Sequence, residues 1–261
     1  MKKILQIGLI LSLVFSIHTL SAHDLKGAVA SDDRSPKNII RDNYRNPLET
    51  LSFFGLESDM VIVELSPGGG WYTEILANFI HYPGTLIAAH FSSDSERAYY
   101  KRSRSNFEKK MASDSMYGRV EIVDLDSDLS DPSTVDAVLT FRNLHNWLGP
   151  TMDNIFSNTH KALKPGGIFG IVEHRAKPGT SMDMMRKSGY VTEAHAIAIA
   201  EKHGFELVAK SEINANPKDL KDHPKGVWTL PPNLRLKETD KEKYLEIGES
   251  DRMTLLFRKP I

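Results

Sequence analysis

The sequence predicts an α/β protein: a seven-stranded, mostly parallel sheet with an antiparallel last strand and helices on both faces. Three observations carry this. Short apolar runs, several apolar throughout, alternate with amphipathic or charged stretches of helical length. The composition is that of a globular chain, 40% hydrophobic and 26% charged over 261 residues. The last two strand-like runs have no crossover helix between them, so the seventh returns antiparallel beside the sixth.

Residues 1–22 read as a secretory signal peptide. Met1-Lys2-Lys3 is a basic start, the run from Ile4 to Ile17 is apolar, and small residues lead to Ala22. That run is shorter than the ~20 residues a spanning helix needs, so no stable membrane anchor is expected after cleavage. The expectation is an exported protein, periplasmic or secreted. Residues 23–37 are polar, contain Ser-Pro and read as a flexible lead-in. Residues 38–261 form one domain.

Within it, 38–56 is helix-like, with Pro47 opening a short helix that ends near Gly55. Met60–Leu65 is the first strand, and Trp71–His81 an amphipathic helix. Thr85–Phe91 is the second strand, followed by a charged helix over Ser95–Ala112. Val120–Val123 and Val135–Thr140 are strands three and four, Met152–Leu163 a helix, and Gly167–Glu173 strand five. Thr192 caps a helix that Gly204 ends. Phe205–Ile213 and Asp251–Phe257 are strands six and seven. Between them, 214–250 is rich in Pro, Lys and Asp, a long insertion that serves either as a lid or as a surface excursion anchored by Trp228.

Lys and Arg number 33 against 34 Asp and Glu, a formal net charge of −1 with no basic run, which argues against nucleic acid. Cysteine is absent, which excludes disulfides, thiolate metal sites and a thiol nucleophile. No His/Asp/Glu spacing matches a zinc or iron ligand set, so no metal is expected. The sequence is silent on oligomeric state.

The sharpest local signal is Glu64-Leu65-Ser66-Pro67-Gly68-Gly69-Gly70, where a buried strand runs through glycines into a helix. Such a bend lets backbone approach a ligand and offers free N–H groups, although a tight junction alone would also use glycine. The dinucleotide glycine pattern and the P-loop are both missing. Glu64 disfavours a pyrophosphate and suits a ligand carrying positive charge.

This bend resembles the E/D-x-G-x-G-x-G signature of class I S-adenosylmethionine-dependent methyltransferases, with Ser66 in place of the first glycine. Three further blocks resemble that family in order: VEIVDLD at 120–126, DAVLTFRNLHNW at 136–147 and ALKPGG at 162–167. Phrases such as RNPLETLSFFGL and GGGWYTEIL look like those of predicted exported members. The resemblance implies a Rossmann-like methyltransferase fold and S-adenosyl-L-methionine as cofactor. It assigns cofactor contacts to Glu64, Ser66, Gly68, Gly69, Gly70, His90, Asp124, Asp126 and Asn143. His90 stands where the family has a ribose-gripping acid, and an imidazole cannot accept from two hydroxyls.

Leu144-His145-Asn146-Trp147 resembles the LHDW segment of plant-type O-methyltransferases, in which histidine takes the acceptor's proton. That implies His145 as general base and methylation of a small-molecule acceptor at oxygen; Glu173, at the end of the fifth strand, either orients His145 or, as the alternative, shares a metal with it. Tyr44, Arg45, Arg142 and Trp147 are candidates for the acceptor pocket. The rival expectation is a non-catalytic exported binding or scaffold protein on the same fold.

Overall fold

A computed structural model describes residues 24–261, so the signal-peptide segment 1–22 lies outside the described residues. The described residues open with four short helices: α1 (Leu25–Val29), α2 (Pro36–Ile39), α3 (Asp42–Arg45) and α4 (Pro47–Phe53). The alternation follows: β1 (Val61–Leu65), α5 (Trp71–Phe79), β2 (Thr85–His90), α6 (Ala98–Met111), β3 (Val120–Asp124) and β4 (Val135–Phe141). Next come α7 (Leu144–Trp147), α8 (Pro150–Ala162), β5 (Leu163–His174), α9 (Met182–Ser188), α10 (Glu193–Lys202), β6 (Glu206–Ser211), α11 (Lys241–Ile247) and β7 (Arg252–Arg258).

The seven strands form one sheet in the order β3-β2-β1-β4-β5-β7-β6. The pairs from β3 to β5 are parallel, while β7 is antiparallel to both β5 and β6. This is the expected seven-stranded, Rossmann-like arrangement. Its central strands are largely apolar because both faces are covered. In β1, Val63 and Leu65 join one core with Trp147, Phe156 and Phe169, while Ile62 joins the opposite core with Leu51, Tyr72 and Ile75. The period-2 alternation of a strand divides these side chains between the two layers.

Several expectations need correction. The lead-in is not a free tail. Asp24 caps α1, Ala28 is fully buried, and Arg34 (1% exposed) pairs with Asp42 at 2.8 Å. Ser35 donates its hydroxyl to Glu74 on α5 at 2.7 Å. Polar composition concealed this because the segment docks through ion pairs. The helix-like stretch 38–56 is three helices, broken at Asn46, whose left-handed φ of 41° precedes Pro47. The LKPGG segment belongs to β5 itself, across an irregular register with β4, rather than forming a turn before it.

Parallel strands β1, β2, β4 and β5 all end at one edge of the sheet. The antiparallel β7 begins at that same edge, with Arg252 opposite His174. With β3, whose Asp124 ends level with His90, six chain segments therefore converge there.

Candidate active site

The bend after β1 takes left-handed backbone at three positions: Ser66 (φ 52°), Gly68 (φ 60°) and Gly70 (φ 74°). Ser66 thus adopts the conformation that the glycine of the signature would supply, at a cost of order 1–2 kcal/mol for a residue with a Cβ. Its Oγ is buried and unpartnered. A Cβ added at Gly68 or Gly69 would meet nothing within 4 Å. A cavity of about 540 Å³ lies against these two glycines, bordered by Ser35, Lys37, Asn106 and Lys110. At Gly70 a Cβ would press on Phe107 and Lys110 at 3.2 Å. The bend is braced from both sides. Lys110 Nζ donates to Gly69 O and Gly70 O at 3.0 Å, and the Asn143 amide donates to Ser66 O at 3.2 Å and Leu65 O at 3.3 Å.

Glu64 lies beneath the bend at 2% exposure. Thr73 Oγ1, in the first turn of α5, donates to its carboxylate at 2.6 Å. Burial pushes the carboxyl up to about 7, against the opposing effects of Thr73 and Lys110. Its observed partner is therefore the start of α5.

The next strand ends behave differently from the family pattern. His90 is 1% exposed. Its Nδ1 accepts from Phe91 N at 2.8 Å, so Nε2 carries the proton and donates to Gly68 O at 3.2 Å. Burial holds its pKa below the usual imidazole range. Asp124, the partner of His90 in register, accepts from Arg104 of α6 at 2.8 Å. Asp126 is exposed. The bend, with open space over two glycines and an orphaned serine hydroxyl, fits the amino-acid end of a sulfonium nucleotide. The ribose end lacks its carboxylate, and a neutral His90 offers one donor already engaged.

At the end of β4, α7 begins with Leu144 and His145. Glu173 on the adjacent β5 is fully buried and collects three donors: His145 Nδ1 (3.0 Å), His145 N (3.3 Å) and His174 N (2.7 Å). The proton shared with Glu173 belongs to Nδ1, because a carboxylate only accepts, which leaves Nε2 as the proton-accepting nitrogen. The Trp228 ring stands edge-on to His145 with centroids 6.0 Å apart. The insertion thus reaches the site, through a residue that composition marked only as an anchor. Donor atoms of His145, Glu173 and His174 fall within 4.8 Å of one another. That metal-like spacing was invisible in the sequence because β4 and β5 bring the two histidines together.

Arg142 precedes this group with a left-handed φ of 63°, its N–H on Val172 O. Tyr44 is 43% exposed beside Gly248. Trp147 is 4% exposed and packs in the core with Leu144 and Met152. It supports α7 rather than lining a pocket. Sequence reading did not single out Glu249 and Arg252. Their signal was the charged GESDR run at 248–252, which becomes meaningful only once β7 is known to start at this edge.

No family model matches the chain, and no curated protein matches it. Solved structures do share the fold. An S-adenosylmethionine-dependent methyltransferase from Aquifex aeolicus is 14% identical, with TM-score 0.58, covering 90% of this chain and 98% of its own. A geranyl diphosphate methyltransferase in complex with S-adenosylmethionine is 11% identical, with TM-score 0.57 and coverages of 90% and 94%. The [4+2]-cyclase SpnF is 16% identical, with TM-score 0.59 and coverages of 91% and 92%. At these identities the likeness establishes the methyltransferase-type fold. The cyclase is named for a different chemistry on the same frame.

Proposed function

We propose that this protein transfers a methyl group from S-adenosyl-L-methionine to an oxygen of a small-molecule acceptor. The observation that carries the reading is the Asn143 bridge. One residue ties the glycine bend to the segment bearing the His145–Glu173 pair at the ends of adjacent strands, which supports reading the bend as the cofactor subsite and His145 as the base. Ser66, Gly68, Gly69 and Gly70 would hold the cofactor, which supplies a methyl group already activated as a sulfonium. The chain's own tasks are to align the acceptor and accept its proton. Glu173 orients His145 and stabilises its protonated form, and His145 Nε2 takes the hydroxyl proton, a contribution of ~10²–10⁴-fold for such acceptors.

The second reading, a non-catalytic binding protein, is favoured by the His90–Gly68 and Arg104–Asp124 contacts, which engage the expected ribose and adenine partners. Calorimetric titration with S-adenosylhomocysteine separates the two. Micromolar binding, lost in Gly69→Arg, is expected. The open space over Gly69 lets that variant fold while filling the hollow. Absence of binding at millimolar ligand favours the binding protein. With an active phenol from a panel, His145→Ala is expected to cut turnover and leave cofactor affinity intact; unchanged turnover removes His145 as base.

We place the protein outside the cytoplasm on its basic start and apolar leader. N-terminal sequencing from its host is expected to begin at His23.

A further inference from the structure

Four arginines converge beside the base. Arg41 donates from Nε to Glu249 Oε1 at 2.7 Å, Arg252 Nη1 lies 3.3 Å from Glu249 Oε2, Arg45 Nε 3.5 Å and Arg142 Nη1 3.9 Å. Glu249, 3% exposed, is the single carboxylate they share. Arg252 also donates to Tyr44 O and Ser250 O. Arg45 is 1% exposed, and both of its terminal nitrogens, Nη1 and Nη2, lack a hydrogen-bond partner. Its guanidinium rests on the Trp71 ring, 4.5 Å from the centroid. Burying a charge with most of its donors unmet is costly, and one carboxylate against four guanidiniums leaves a surplus of positive charge.

The electrostatics agree with the geometry. Burial, then the charge on Arg142, holds the Arg45 pKa well below the usual guanidinium value. Burial brings Arg142 down to about 10. Burial would raise Glu249, yet the arginines hold it below the usual carboxyl range. His174, whose ring centroid lies 5.3 Å from that of His145, is depressed first by burial, next by His145, and then by Arg142, Arg252 and Arg45. The same positive field disfavours a metal cation among His145, Glu173 and His174, despite their spacing.

We infer that Arg45 and Arg142, with Arg41 and Arg252 behind them, bind an oxyanion, carboxylate or phosphate, carried by the acceptor. Guanidinium groups suit these anions because their planar fork donates two parallel hydrogen bonds. Arg142 lies three positions before His145, so the anion would anchor the acceptor next to the base. Assigning the anion to an acceptor rests on the methyltransferase reading; the anion site itself does not.

The test is thermal melting and calorimetry of the cofactor-free protein with inorganic phosphate and with benzoate, against sodium chloride of equal ionic strength. One of the two is expected to bind and raise Tm, and which one identifies the anion. Arg142→Gln, at a partly exposed position, is expected to weaken that binding about ten- to hundredfold. A second measurement needs no variant: the same anion should protect Arg142 from phenylglyoxal, read by peptide mass. Binding of neither anion, equal binding by Arg142→Gln, or no protection of Arg142 overturns the inference. Stabilisation by zinc chloride in place of both anions also overturns it. S-adenosylhomocysteine binding is read separately, so either proposal can fail alone.

Discussion

Glu64 shows how one residue can satisfy a family motif and yet do local work. Its carboxyl is pushed up to about 7 by burial. The folded state therefore holds the proton more tightly than the unfolded chain, and stability falls as pH rises from the ordinary carboxyl value towards 7. Glu64→Gln keeps an acceptor for Thr73 and removes the charge. It is expected to raise Tm relative to wild type at pH 8, by a free energy of order 3 kcal/mol at most, with little effect at pH 5. Equal effects at both pH values would mean that Glu64 titrates normally. The residue types at this bend were legible: glycine at 68 and 70 meets a left-handed backbone. The Ser66 conformation was not, because no local rule places a serine there at a cost.

At the scale of elements, the insertion 214–250 is held by close backbone contact. A side-chain carbon on Gly226 would collide with the backbone of Ser188 at the end of α9, and Gly226 has φ 56°. Asp219 fastens the same segment, accepting from Tyr190 Oη at 2.9 Å, from the Asp251 backbone at 2.8 Å and from His223 at 2.8 Å. Trp228 packs over Gly189 and faces His145. Gly226→Ala is therefore expected to cost about 2 kcal/mol or more, lowering Tm and shifting Trp fluorescence. An unchanged melt would show the insertion to be loosely attached. Composition gave the insertion and its anchor. It did not give the contact with the base, which depends on α9 presenting glycine at its C-terminal cap.

For the whole molecule, the segment before residue 38 belongs to the domain. Arg34–Asp42, Ser35–Glu74 and Lys110–Glu74 link it through α5 to the glycine bend. Glu74 is fully buried, so loss of Ser35 leaves a buried carboxylate short of a donor. A chain beginning at His23 is expected to keep the full-length melting temperature, because the Asp24 cap survives. A chain beginning at Asn38 is expected to melt several degrees lower, roughly the effect of 1–2 kcal/mol in a domain of this size. Equal melting of the two would return 24–37 to the status of a tail.

The sequence by itself determined the order of strands and helices, the glycine bend and the antiparallel seventh strand. Each is written in local terms: apolar period, glycine position, a missing crossover helix. Only the tertiary structure decided which distant charges meet. Arg45, Arg142 and the Glu249–Arg252 pair come from three separate stretches of the chain, and nothing local says that these arginines share one carboxylate. They become one group, buried except for part of the Arg142 side chain, because β7 runs opposite to its neighbours and begins where β4 and β5 end. Which side chains stand together at the shared end of those strands is a property of the assembled sheet, and no window of sequence contains it.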